Sequence, residues 1–174
     1  MISGRQMQYI LSMKKKLYVE TSVWNQIDQE ERLDFKEITE KFLSLCREGV
    51  YDLYISEIVL WEIDECSDDR KKQALLDLIE AYKPTLLLFN EESQRLRTKY
   101  VEAGVLDDKR RNRYYDTAHV AIASVNGFKY VLTFNFVHLL KIARIEMFNG
   151  VNLLNGYDSI QLVSPELFIP EEKE

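Results

Sequence analysis

The chain is poor in the residues that mark linkers, covalent staples and membrane segments. Only 6 Gly and 3 Pro are spread along 174 residues, which excludes a Pro/Gly-rich linker, and neither an internal repeat nor a low-complexity stretch is present. Two cysteines, Cys46 and Cys66, are too few for a disulfide framework and are expected to be core thiols in a reducing cytoplasm. No apolar run is long enough for a signal peptide or a membrane span, so no membrane partner is expected. Positive charge is in deficit: 23 Lys+Arg face 29 Asp+Glu, a net charge of −6. A whole-surface nucleic-acid binder is thereby excluded, although a local basic patch is not. After the first strand-like run stands Thr21-Ser22-Val23-Trp24, with no glycine to cradle a nucleotide phosphate.

What is present suits one soluble domain with a sizeable core. Residues 1–13 are expected to be a flexible N-terminal extension, because Met13-Lys14-Lys15-Lys16 makes a natural start; residues 14–169 form the domain and 170–174 an acidic tail. Strands are predicted near 16–20, 51–55, 84–89, 128–134 and 158–163, and helices near 35–48, 57–66, 70–82, 91–103, 113–126 and 136–147. That alternation predicts an α/β fold with a parallel sheet. Asp34 with Glu37 reads as a capping box, Gly49 as a helix stop, Asn90 and Gly104 as the brackets of a later helix, and Pro84 as the stop after Tyr82.

Three acids interrupt apolar segments: Glu20 after Lys16-Leu17-Tyr18-Val19, Glu62 inside Ile58-Val59-Leu60-Trp61-Glu62-Ile63, and Asp116 opening Asp116-Thr117-Ala118-His119-Val120-Ala121-Ile122-Ala123. An ionised carboxylate withdrawn from water costs several kcal/mol unless a cation or hydrogen-bond donors compensate. Singly, Glu20 reads as a solvated strand end and Asp116 as a first-turn helix charge. Glu62 has little solvent-facing arc on its helix. Ligands of open parallel sheets bind beyond the carboxyl ends of the strands. Glu20 at the end of strand one, Glu62 on the helix after strand two with Ser56 as its N-cap, Asp116 and Asn135 are therefore expected to converge at one rim. Hard oxygen donors of this kind suit Mg²⁺ or Mn²⁺.

Four motifs resemble the PIN-domain ribonucleases that include VapC-type toxins. They are Tyr18-Val19-Glu20-Thr21-Ser22-Val23, Ile55-Ser56-Glu57-Ile58-Val59-Leu60-Trp61-Glu62-Ile63, Asp116-Thr117-Ala118-His119-Val120-Ala121-Ile122-Ala123, and Val131-Leu132-Thr133-Phe134-Asn135, within a match from about Lys15 to Phe168. The resemblance implies a three-layer α/β/α domain with a central parallel sheet of about five strands. It also implies a Mg²⁺- or Mn²⁺-dependent nuclease for single-stranded RNA, a cognate antitoxin partner and a homodimer. Glu20, Glu62 and Asp116 would hold the metal with Asn135 assisting, and Thr21, Ser22, Thr133 and His138 would support them. Two positions depart from the family pattern: Glu20 and Asn135 stand where Asp is usual.

The chain has only two histidines, His119 and His138. No nucleophile-elbow motif joins them to a serine; His119 is expected to be a core or hydrogen-bonded supporting group and His138 to orient the rim after strand four. Asp107-Asp108-Lys109-Arg110-Arg111-Asn112-Arg113-Tyr114-Tyr115 leads into the third acid. Phosphates need cations and unpaired bases stack on rings, so Arg110, Arg111 and Arg113 are the candidate RNA contacts; a solvated, salt-bridged surface is the plain alternative. Arg95, Arg97 and Lys99 are expected on an exposed helix face, and Trp24 either stacks on a base or fills the core. The sequence thus points to a metal-dependent endoribonuclease of a toxin–antitoxin pair. One alternative is a catalytically weak PIN-like module that binds RNA or protein without cutting. Another, a metal-dependent phosphatase or phosphoacceptor domain on a similar sheet, is disfavoured because no Asp-x-Asp follows strand one.

Overall fold

The structure, a computed structural model, describes residues 14–28 and 31–171. The expected extension at 1–13 and the last residues of the expected acidic tail lie outside them. The chain runs β1 (Lys15–Val19), α1 (Thr21–Trp24), α2 (Leu33–Arg47), β2 (Tyr51–Ser56), α3 (Glu57–Asp64), α4 (Asp69–Tyr82) and β3 (Thr85–Leu87). It continues through α5 (Glu91–Glu102), α6 (Arg111–Val125), β4 (Tyr130–Leu132), α7 (Ile142–Leu154) and β5 (Gln161–Val163). Short 3₁₀ turns at Asn25–Asp28 and Pro165–Phe168 complete it.

The five strands form one sheet in the order β3-β2-β1-β4-β5, and every pairing is parallel. A parallel sheet must be covered on both faces, and β1 shows how. Leu17 and Val19 join one apolar cluster with Val23, Trp24, Phe42, Leu43, Leu53, Ile55 and Leu75. Tyr18, pointing the other way, joins a second cluster with Leu96, Tyr100, Ala118, Ile122, Val131 and Phe148. Helices α1–α4 therefore cover one face and α5–α7 the other, giving the expected three layers. Helix α3 reaches both: Ile58 belongs to one cluster, while Val59 and Ile63 belong to the other.

The chain leaves β1 toward β2 and β3 on one side, then returns to lay β4 and β5 on the other. This reversal makes the gap between the carboxyl ends of β1 and β4 the topological switch point, where open α/β sheets place their ligands.

Local punctuation mostly agrees with the structure. Asn90 caps α5 by accepting from the Ser93 amide at 2.9 Å, and Gly49 closes α2 with φ +79°, where Lys14 Nζ lies 3.2 Å from the place a Cβ would occupy. Helix α4 stops at Tyr82, ahead of Pro84, with Lys83 in the left-handed region. Other expectations are corrected. Helix α2 begins at Leu33 behind Arg32, so Asp34 lies in its first turn and accepts from the Arg32 guanidinium at 3.0 and 3.2 Å instead of forming the capping box. The helix expected at 136–147 lies at Ile142–Leu154. Asn135 explains the delay: its side-chain Oδ1 takes the His138 amide at 3.0 Å while its carbonyl takes those of Leu139 and Leu140, closing a turn that competes with helix. Arg97, expected in solvent, is only 8 % exposed; it stacks 3.7 Å from the Tyr114 ring centre and pairs with Asp108 at 3.2 Å. Trp24 fills the core with no exposure. Cys46 and Cys66 are half-buried and free.

Candidate active site

Glu20 does not end β1 but follows it as the N-cap of α1, in extended backbone. Its amide still donates to the Leu132 carbonyl at 3.1 Å, prolonging the β1–β4 ladder by one bond. Its carboxylate turns back to accept from the Ser22 amide at 3.0 Å and from the Ser22 hydroxyl, and only 3 % of the residue is exposed. Ser22 Oγ also accepts from the Phe134 amide at 2.8 Å, so this side chain ties the exit of β1 to the exit of β4.

Glu62 projects from the second turn of α3. Its Oε2 accepts from the Thr21 hydroxyl and lies 2.8 Å from His119 Nε2. His119, fully buried on α6, is held from behind by Tyr18 OH at 2.5 Å from Nδ1, and Tyr18 in turn meets Ser56 Oγ at 2.7 Å. Ser56 sits at the N-cap position of α3, but its hydroxyl serves Tyr18 and makes no cap bond. Tyr18 was not among the candidate residues. A tyrosine alternating with Leu17 and Val19 reads as core, and only the tertiary arrangement reveals that its hydroxyl braces His119.

Asp116 lies in the second turn of α6, not the first, because that helix begins at Arg111. It is 6 % exposed. Asn135 Nδ2 donates to Oδ1 at 2.8 Å and His138 Nδ1 meets Oδ2 at 2.7 Å. The Asn135 amide donates to Thr133 Oγ1 at 2.9 Å, and Thr133 is fully buried. Asn135 lies three residues beyond β4 (Tyr130–Leu132), so it belongs to the turn after the strand, not to its end.

The charges at this rim act on one another. Burial pushes the Glu20 carboxyl above its ordinary pKa and Glu62 adds to the rise, while His119 opposes it. Asp116 is likewise raised by burial, against the pull of His138 and His119. For His119 burial favours the neutral form, yet Glu62, Glu20 and Asp116 together outweigh it and lift the imidazole above its usual value. Three carboxylates from β1–α1, α3 and α6 therefore share one electrostatic environment, with an imidazole among them. The donor chemistry fits a hard divalent cation: carboxylate oxygens in a largely buried setting short of positive charge. As placed, the carboxylates are turned onto Ser22, Thr21, His119, Asn135 and His138, and among the described residues no three Asp, Glu, His or Cys side chains are grouped as a metal site.

The basic stretch divides. Arg111 donates from Nε to Tyr115 OH at 2.7 Å and pairs with Glu65, to which Tyr115 OH also donates at 2.6 Å. Arg113 pairs with Asp107. Arg110, the exposed N-cap of α6, makes no ion pair among the described residues. A cavity of about 240 Å³ beside Thr21 and Glu62 joins this edge to the rim.

No protein-family model matches the chain, and no curated protein sequence matches it. Among solved structures it is similar to VapBC2 from Rickettsia felis bound to a DNA fragment from its promoter, with 13 % identity, a TM-score of 0.51, and coverage of 86 % of this chain and 98 % of that one. It is also similar, at a TM-score of 0.47 and 16 % identity, to VapC20 of Mycobacterium tuberculosis, a sarcin–ricin-loop-cleaving toxin, over 70 % of this chain and 92 % of that one. The fold is the PIN-like, VapC-like one that the four motifs led us to expect.

Proposed function

We propose that this protein is a divalent-metal-dependent endoribonuclease acting on single-stranded RNA, the toxin of a toxin–antitoxin pair. One observation carries the reading. At the switch point of the sheet, two buried carboxylates and a half-buried third come from three separate elements, repel one another and share one imidazole. A purely structural core has little reason to bear that cost.

In this reading Glu20, Glu62 and Asp116 would hold Mg²⁺ or Mn²⁺, with Asn135 assisting. The chemistry such an ion would supply there is a lowered pKa for a bound water and an offset to charge on the phosphodiester. The chain's own groups prepare the place. His119, braced by Tyr18, fixes Glu62 through Nε2, and Ser22 fixes Glu20 while linking the exits of β1 and β4. Asn135 and His138 keep both Asp116 oxygens occupied; His138, 18 % exposed on its side chain, is the more accessible of the two imidazoles. Arg110 draws the phosphate backbone toward the rim. A cognate antitoxin belongs to the same reading as the partner that covers the rim, and a homodimer as the assembly. Among the described residues no helix is long and apolar enough to cross a membrane.

A second reading is favoured by a specific observation: His138 and Asn135 are closed onto Asp116, which suits a module that binds RNA or protein without cutting. Labelled single-stranded RNA incubated with the purified protein in Mn²⁺, Mg²⁺ or EDTA separates the two. Cleavage with either ion and none in EDTA is expected; metal binding by calorimetry with intact RNA would favour the non-cutting module.

A further inference from the structure

Beside the rim, the cavity of about 240 Å³ shares Thr21 and Glu62 with the carboxylate cluster and runs outward to the start of α6. Its walls combine two kinds of group. Ile63 is apolar and buried, and Tyr115 is 5 % exposed, so one gives an aliphatic wall and the other an aromatic one. Asn25, Glu65 and Asn112 supply polar atoms. The Asn25 carboxamide makes no hydrogen bond among the described residues, and Asn112 uses only its oxygen, accepting from the Arg113 amide at 2.9 Å. Glu65 spends Oε1 on Arg111 and Tyr115, which leaves Oε2 as an open acceptor. Arg111, locked to Tyr115 and Glu65, acts as a wall whose charge is already neutralised and not as a free phosphate contact.

We infer that this cavity is a base-reading subsite that takes one unpaired nucleobase of the RNA, next to the phosphodiester at the rim, and prefers bases bearing an exocyclic amine over uracil. The inference rests on the nuclease reading and adds what the site selects. The volume is of the order that one ring system with its sugar edge occupies, well below that of a drug-sized ligand pocket of roughly 300–1,000 Å³. Unpaired bases are read on their hydrogen-bonding edges by Asn, Gln and acidic side chains, with apolar or aromatic walls holding the ring plane. The free carboxamide of Asn25 and the unused amide donors of Asn112 meet any base edge. The open carboxylate oxygen of Glu65 accepts from the amino group of adenine, cytosine or guanine, whereas the two carbonyls of uracil would face it unfavourably.

The test compares single-stranded oligouridylate with the same strand carrying one adenine, cytosine or guanine. Binding is followed by fluorescence anisotropy in EDTA at low salt, and cleavage is mapped separately in Mn²⁺. The expected result is a preference of about tenfold for the amino-bearing strands, matching one good base contact, with cuts placed next to the substituted base. In a Glu65→Gln variant, which keeps the shape and puts an amide donor where the open carboxylate oxygen stood, and in Glu65→Ala, that ratio should fall toward one. RNA bound or cut by the parent with equal preference for all strands, or an unchanged ratio in both variants, would overturn the subsite and leave the nuclease reading standing. A parent that neither binds nor cuts any of the strands overturns both.

Discussion

The two poles of the sheet carry charge in opposite ways. At the amino ends of the strands, Lys14, Lys15, Lys16, Lys83 and Lys129 are exposed. Their attachments are loose: Lys14 approaches Asp52 at 4.0 Å, and Lys16 and Lys129 lie 5.8 and 5.4 Å from the ring centres of Tyr54 and Tyr130. At the carboxyl ends, Glu20 and Asp116 are buried, and each carboxylate is held by named hydrogen bonds. Water screens the first set, so each lysine contributes little to stability. The second set is withdrawn from water and answers to every neighbouring charge. The difference teaches that position relative to solvent, and not the number of charges, separates a candidate working site from a solvated edge.

The largest expected effect lies at the rim. Asp116→Asn keeps shape and removes charge, so metal affinity should fall and RNA cleavage should drop by about a hundredfold or more, with the circular dichroism spectrum unchanged. Asn135→Asp should instead tighten Mn²⁺ binding by adding a fourth carboxylate. Cleavage by Asp116→Asn at the parent rate would erase the contrast between the poles.

Next comes His119, the imidazole shared by the acids. Its removal in His119→Ala leaves Glu62 and the carboxylates around it uncompensated and should destabilise the fold by about 3 kcal/mol, read from urea unfolding. A midpoint equal to the parent's would mean that the imidazole does not compensate the acids.

The rim also dictates how stability follows pH. Glu20 and Asp116 have folded pKa values raised above 4.5 and 3.8, so the native state holds their protons more tightly, and this contribution is lost as pH rises through the raised values. His119, raised above 6.5, contributes stability that is complete below that ordinary value and is lost as pH climbs through its folded one. Metal-free protein should therefore be more stable in mildly acidic than in mildly alkaline buffer. Excess Mn²⁺ should reverse much of the alkaline loss, adding about 2.7 kcal/mol at a hundredfold excess over Kd. A flat pH profile in EDTA, with no rise in Tm on adding Mn²⁺, would count against the metal site.

Smaller effects belong to exposed cations. Arg110→Gln should weaken RNA binding and reduce its salt slope by about one, since one phosphate contact is lost. Arg113→Gln should do less, because its guanidinium is already paired with Asp107. At the opposite pole, Lys83→Gln should change stability by less than about 0.5 kcal/mol and leave the RNA salt slope as it was. A Lys83 effect as large as that of Arg110 would relocate the RNA path to the amino end of the sheet.

Strands β1 and β2 were legible because their apolar runs are dense and flanked by clear helix periodicity, and Asn90, Gly49 and Pro84 acted locally, as their chemistry demands. The start of α7 was misjudged because Asn135 spends its side chain and carbonyl on a turn that apolar periodicity does not register. Arg97 was placed in solvent because a cation on a polar helix reads as exposed. Its stacking on Tyr114 and pairing with Asp108 involve residues more than ten positions away in the chain.

The sequence by itself determined the parallel α/β order and singled out Glu20, Glu62 and Asp116, because a charge inside an apolar run is anomalous wherever it falls; Asn135 joined them through its place after the fourth strand. Only the tertiary structure decided which partners those acids keep. It bound His119 to Glu62 with Tyr18 behind it, turned His138 and Asn135 onto Asp116, and committed Arg111 to Glu65. Those pairings join residues up to 101 positions apart. They depend on the strand order 3-2-1-4-5, which brings distant segments to one rim, and no local pattern encodes that distance.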